Sequence, residues 1–129
     1  MKRSLFLAIA GVIPMLMGAG AILSPDAVFG SYGITMTPQI ALFARGLGAF
    51  LFAVGLTTFL SRKDAGSPAL TAVLVSGLVL HAITLVIDLM ATLDGTMNSQ
   101  GWGSVSVHVI FGIGFLYYVI KKPAVAKNA

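Results

Sequence analysis

Four apolar runs, each about as long as a bilayer is thick when coiled into a helix, leave few folds open to this chain. They cover Ser4–Leu23, Pro38–Leu60, Pro68–Thr92 and Trp102–Ile120. A membrane-crossing helix needs ~20 consecutive apolar residues at ~1.5 Å of rise each. The expectation is therefore an all-α integral membrane protein, a four-helix bundle forming one transmembrane domain over residues 1–129. Charge content agrees, because only 9% of the residues are charged and 57% are hydrophobic. A soluble domain carries roughly a quarter charged residues to face water. Here most of the surface is expected to face lipid.

The basic residues mark an orientation. Lys2 and Arg3 precede the first run, Arg62 and Lys63 separate the second from the third, and Lys121, Lys122 and Lys127 follow the fourth. The loops Ser24–Thr37 and Leu93–Gly101 contain neither Lys nor Arg. By the positive-inside rule the seven flanking cations share the cytoplasmic side, so both termini are expected there. This placement accounts for the net charge of +4 without a nucleic-acid partner.

The first run has a second reading. Met1-Lys2-Arg3, an apolar stretch and Ala19-Gly20-Ala21 resemble a signal peptide with its cleavage site. Removal would leave three spans, and a retained helix is the expectation, with a kink at Pro14. Of the outer loops, Ser24–Thr37 is rich in turn residues and carries Phe29, Tyr32 and Met36. It is either a plain connector or a cap folded over the mouth of the bundle. Trp102, Tyr117 and Tyr118 suit interfacial belts. The chain has no cysteine, which removes disulfide exchange, thiolate catalysis, cysteine zinc sites and iron–sulfur clusters.

Polar residues inside the runs define the candidate site. Gly77, His81, Thr84, Asp88 and Thr92 are spaced 4, 3, 4 and 4 apart, which sets them on one stripe of a helix. A carboxylate in such a helix costs at least ~2.5 kcal/mol near the membrane centre, so Asp88 is expected to face protein or a cavity. On the second run Ala41, Arg45, Gly48, Phe52 and Gly55 share a face. On the fourth, Ser104, His108 and Gly112 do. Counting rise along each helix puts Asp88, His108 and Arg45 about 6, 9 and 10 Å below the outer helix ends, and His81 about 16 Å. Three helices thus bring Arg45, Asp88 and His108 to one level, with His81 a layer deeper.

Two readings of that level stand side by side. Arg45 and Asp88 form a buried ion pair that fixes helix register, with His108 satisfying leftover acceptors; or the cluster lines a pocket, since ionisable groups within a membrane usually do. For His81 alone, a hydrogen bond to Thr84 or a backbone carbonyl is the plainer role. Haem ligation by the two histidines is disfavoured by their depth difference of about 7 Å. A metal site from His81, Asp88 and His108 has suitable donors but matches no ligand spacing, so no cofactor is assigned. No nucleophile elbow, phosphate loop or hydride-cofactor fingerprint occurs.

Leu23-Ser24-Pro25 ending the first run, a glycine-bearing loop through Tyr32-Gly33-Ile34, and Ala44-Arg45-Gly46-Leu47-Gly48-Ala49 early in the second resemble the DoxX-like group of small four-helix bacterial membrane proteins. The resemblance covers most of the first two helices and carries over Arg45 alone. It implies the bacterial cytoplasmic (inner) membrane and, for some members, association with quinone-linked or redox complexes. The functional expectation is a protein that binds a small lipophilic molecule, quinone- or isoprenoid-like, in an outer-leaflet pocket. Arg45, Asp88, His108, His81 and Thr84 would contact it. The alternatives are a small membrane enzyme of isomerase or cyclase type, with Asp88, His108 or His81 as acid and base, and a proton-coupled transporter. The expected partners are the lipid bilayer and such a molecule, with a homodimer or a larger membrane complex open.

Overall fold

The computed structural model describes residues 1–121 of the chain; Lys122 and Lys127 lie outside the described residues. Five α-helices appear: α1 (Arg3–Leu23), α2 (Pro25–Phe29), α3 (Pro38–Leu60), α4 (Pro68–Leu93) and α5 (Gly101–Ile120). Short 3-10 turns follow α2 and α3, at Gly30–Tyr32 and Ser61–Lys63. Helices α1, α3, α4 and α5 are long and apolar enough to cross a membrane.

Local chemistry sets the boundaries. Pro25 disfavours the helical conformation for Ser24 before it, and α1 stops there with Ser24 at φ −143°. Thr37 and Ser67 each precede a proline and accept a hydrogen bond from the backbone N–H three residues on, Ile40 at 3.2 Å and Leu70 at 3.1 Å. A hydroxyl N-cap followed by proline is a favoured helix start, since the proline's missing N–H would have had no partner there. Pro14 sits inside α1, which continues through it.

The four long helices pack as two antiparallel pairs. Helix α1 lies against α3, and α4 lies against α5, while α1 and α5 supply the main contact between the pairs. Paired glycines let the first couple approach. A Cβ on Gly55 would stand 2.5 Å from the Gly11 carbonyl oxygen, and one on Gly18 would stand 2.5 Å from that of Gly48. Backbones that close leave no room for a side chain between them, which is the packing small residues permit in membrane helices.

The second joint is aromatic. Phe6 of α1 inserts against α5, with ring centroids 5.0 Å from Phe115, 5.1 Å from Tyr118 and 6.0 Å from Phe111. Leu7, Leu70 and Leu74 complete this core and are almost wholly buried. Tyr118 belongs to the core and is 8% exposed. Its hydroxyl donates to the Met1 carbonyl at 2.8 Å, so it is a packing residue, not the belt residue its position suggested. Tyr117 next to it is exposed.

The two ends of the molecule differ in charge. At one end an Arg3 Nη donates to the Asp64 carbonyl oxygen, gathering Lys2 and Arg3 with the Arg62–Lys63 turn. Lys121, just past Tyr118, reaches the same end. At the other end the turn after α2 meets the loop before α5. The Asn98 backbone N–H donates to the Tyr32 carbonyl and its side-chain amide to that of Ser31, both at 2.9 Å. Of the two roles open to the Ser24–Thr37 loop, this arrangement matches the folded-back one: a short helix and turn, pinned to the opposite loop.

Candidate functional site

The polar stripe of α4 faces α5 along its whole length. Gly77 lies beneath the Phe115 ring, so that a Cβ there would meet the ring carbons at 2.5 Å. Thr92, at the other end of the stripe, packs on Gly101. Between these ends sit His81, Thr84 and Asp88 from α4, and His108 and Ser104 from α5. Four-residue spacing on α5 presents Ser104 and His108 on successive turns toward the α4 stripe.

These five side chains form one hydrogen-bonded string. The Ser104 hydroxyl donates to Asp88 Oδ2. His108 Nε2 lies 3.3 Å from the same carboxylate oxygen. On its other side, His108 Nδ1 stands 2.8 Å from His81 Nδ1 and 3.1 Å from Thr84 Oγ1. Thr84 directs its hydroxyl proton to the Leu80 carbonyl at 2.7 Å, which leaves its oxygen free to accept. The His81 ring stacks on Phe111 and Phe115, each with centroids 5.5 Å away. Aromatic rings thus form a floor beneath the string and separate it from the basic end of the molecule. Asp88 and His108 are each 19% exposed at the side chain, so neither is sealed within the helix pair.

The geometry admits two proton arrangements that keep the Asp88–His108 and His108–His81 bonds, and only the second also puts a proton on Nδ1 that Thr84 Oγ1 can accept. In the first, neutral His108 donates from Nε2 to Asp88 and accepts at Nδ1 from the His81 Nδ1–H. In the second, His108 is an imidazolium that donates from Nε2 to Asp88 and from Nδ1 to His81. A proton arriving at His81 Nε2 converts the first arrangement into the second by a shift across the 2.8 Å contact between the two Nδ1 atoms. The charge then rests beside Asp88.

Arg45 is not part of it. Sequence spacing expected its guanidinium at the level of Asp88 and His108, but its Nε donates to the Ile22 carbonyl at 3.3 Å. The single ion pair among the described residues joins His108 to Asp88. The reason lies in the face of α3 that packs. Ala44, Gly48, Gly55 and Thr58 are its buried residues, turned toward α1. Arg45 is one position, about a quarter turn, off that stripe and is exposed. A depth count along each helix could not show that α3 pairs with α1 and leaves α4 and α5 to each other. For the same reason the site lies between two helices and not among three.

His81 also differs from its plainer expected role, since its partner is the other histidine. Ser104 shared a face with His108 in the sequence, yet nothing marked it as the donor to Asp88. Phe111 and Phe115, three and seven residues after His108, are the floor that the spacing could have suggested. Among the described residues no group of three or more His, Cys, Asp or Glu side chains is placed to hold a metal ion. No family model, curated protein or solved structure matches this chain.

Proposed function

We propose that this is a multi-pass protein of the bacterial cytoplasmic membrane that binds a small lipophilic molecule through a proton-exchanging head group. The four apolar helices support membrane insertion. The gathering of Lys2, Arg3, Arg62, Lys63 and Lys121 at one end supports both termini being cytoplasmic. In that orientation the polar string lies in the outer half of the membrane and opens sideways toward lipid. The observation that carries the reading is His108 engaged at both ring nitrogens, by Asp88 on one side and His81 on the other.

A charged group within a membrane is expensive and persists where it has a partner and a task. Asp88 has two donors, and the string behind it can take up a proton without losing a bond. A ligand carbonyl or hydroxyl at this edge would exchange hydrogen bonds with Asp88 and His108, and a ring-plus-tail molecule of quinone type supplies such a group on an apolar body. The resemblance to DoxX-like proteins points the same way, toward quinone-linked or redox assemblies.

Decylubiquinone tests the reading through quenching of Trp102, the sole tryptophan, which lies two residues from Ser104. Saturable quenching is expected for the wild type, with affinity reduced about tenfold or more in Asp88→Asn and His108→Phe, the scale of one charge-assisted hydrogen bond. Identical isotherms in all three proteins, with the variants altered only in thermal stability, would leave the string as a device for helix register.

A further inference from the structure

The geometry points to a second binding site, for the phosphodiester of an outer-leaflet phospholipid, at Arg45. It rests on the membrane-spanning orientation and not on the ligand of the α4–α5 string. Arg45 is the one basic residue well inside an apolar run, seven residues or ~10 Å from the outer end of α3. Its Nε donates to the carbonyl of Ile22 in the last turn of α1. That turn has carbonyls without intrahelical partners and carries the negative end of the helix dipole, and α1 has no basic residue of its own there. Arg45 thus caps α1 from the neighbouring helix.

This contact uses one of five N–H donors. Among the described residues, neither terminal nitrogen of Arg45 has a hydrogen-bond or ion-pair partner. Around it, Leu42, Phe43 and Leu47 on α3 and Leu23 on α1 are all exposed apolar side chains suited to acyl chains. Side chains on a helix tilt toward its N-terminus, and α3 starts at the outer end, so the guanidinium is directed up toward the head-group layer. A planar fork can hold a carbonyl with its inner nitrogen and an anion with its outer pair, which a lysine ammonium does less well. An anion within reach of an outward-directed fork among acyl chains is the lipid's own phosphate.

Native mass spectrometry of the purified protein with added dioleoyl lipids separates the possibilities. Wild type is expected to retain phosphatidylglycerol about tenfold better than diacylglycerol, which has the same chains without phosphate. Arg45→Gln should remove that preference, and Arg45→Lys should keep part of it. Millimolar inorganic phosphate should leave the bound lipid in place. Circular dichroism checks that the variants remain helical, and Arg45→Lys carries the test if Arg45→Gln does not fold. An unchanged phosphatidylglycerol preference in Arg45→Gln overturns the inference, as does a folded Arg45→Lys indistinguishable from wild type. Displacement of the lipid by free phosphate overturns the assignment to a phospholipid.

Discussion

His81 and His108 face each other through like atoms, Nδ1 to Nδ1 at 2.8 Å, so the two rings cannot hold the same proton inventory on their facing sides. One donates while the other accepts, and each ring fixes the tautomer of its partner. The consequence is energetic coupling. Removing either ring takes a hydrogen-bond partner from the other in a part-buried setting, whereas removing both takes that shared contact only once, although Asp88 loses His108 whenever that ring is removed. His81→Phe and His108→Phe are each expected to lower unfolding stability by about 1–3 kcal/mol. The double variant should cost less than their sum by about 0.5 kcal/mol or more, as contacting residues in one network do. Unfolding titrations in mixed micelles measure all four corners of that cycle; strictly additive losses would mean that the contact contributes nothing.

The glycine contacts between α1 and α3 give a prediction with an internal control. A methyl group on Gly55 would press on the Gly11 carbonyl oxygen and on Met15, while one on Gly46 would meet nothing within 4 Å. Gly55→Ala should force the helix backbones apart and cost about 1–3 kcal/mol, the usual penalty for overpacking. Gly46→Ala, nine residues away on the same helix, should be neutral or stabilising by up to about 1 kcal/mol through helix propensity. Thermal unfolding of the two variants side by side reads the difference directly.

What the sequence revealed and what it hid divide along one physical line. Helix ends were legible at Thr37-Pro38 and Ser67-Pro68 because capping is local chemistry. The α4 stripe from Gly77 to Thr92 was legible because periodicity is a property of one helix. Which helix that stripe faces is not, since lipid is as apolar as leucine and hydrophobic patterning in a membrane protein does not select partners. Gly11, Gly18, Gly48 and Gly55 held the missing information. They show most clearly as an antiparallel register, Gly11 on Gly55 and Gly18 on Gly48, which assigns α3 to α1. Aligning the two runs in parallel pairs the same glycines wrongly and hides it. Arg45 was misplaced for that reason alone.

At the basic end, Asp64 provides a pH test outside the apolar helices. The Ser67 hydroxyl, the Gly66 backbone N–H and the Arg3 guanidinium hold its carboxyl below the usual carboxylate range. A group whose folded-state pKa is depressed adds stability above its unfolded pKa and loses it as pH falls through the folded value. Asp64→Asn should therefore lower the melting temperature slightly at neutral pH, and the gap should close on acidification past the carboxylate range. The effect is small because the group faces solvent. Melting curves from neutral to strongly acidic pH would show it; a gap that persists in acid would assign the loss to packing and not to charge.

Asn98 ties the two loops at the opposite end with a side-chain bond to the Ser31 carbonyl and a backbone bond to that of Tyr32. Its carbonyl oxygen also accepts from the Gln100 N–H at 2.9 Å, and its own backbone carbonyl accepts from Gly101 at the start of α5. Asn98→Ala deletes only the side-chain bonds. These are exposed, so the expected loss is about 0.5–1.5 kcal/mol, with α4 and α5 intact. The backbone bond from residue 98 to Tyr32 then stands alone, and its amide should exchange with deuterium faster than in the wild type. If the tie also restricts entry to the polar string from the loop end, stopped-flow quenching of Trp102 by decylubiquinone should show association and dissociation accelerated together. Affinity would then stay nearly constant, because removing a gate changes both rates while the contacts with Asp88 and His108 remain. Faster amide exchange with unchanged quenching rates would show that the tie holds the loops together without gating the string.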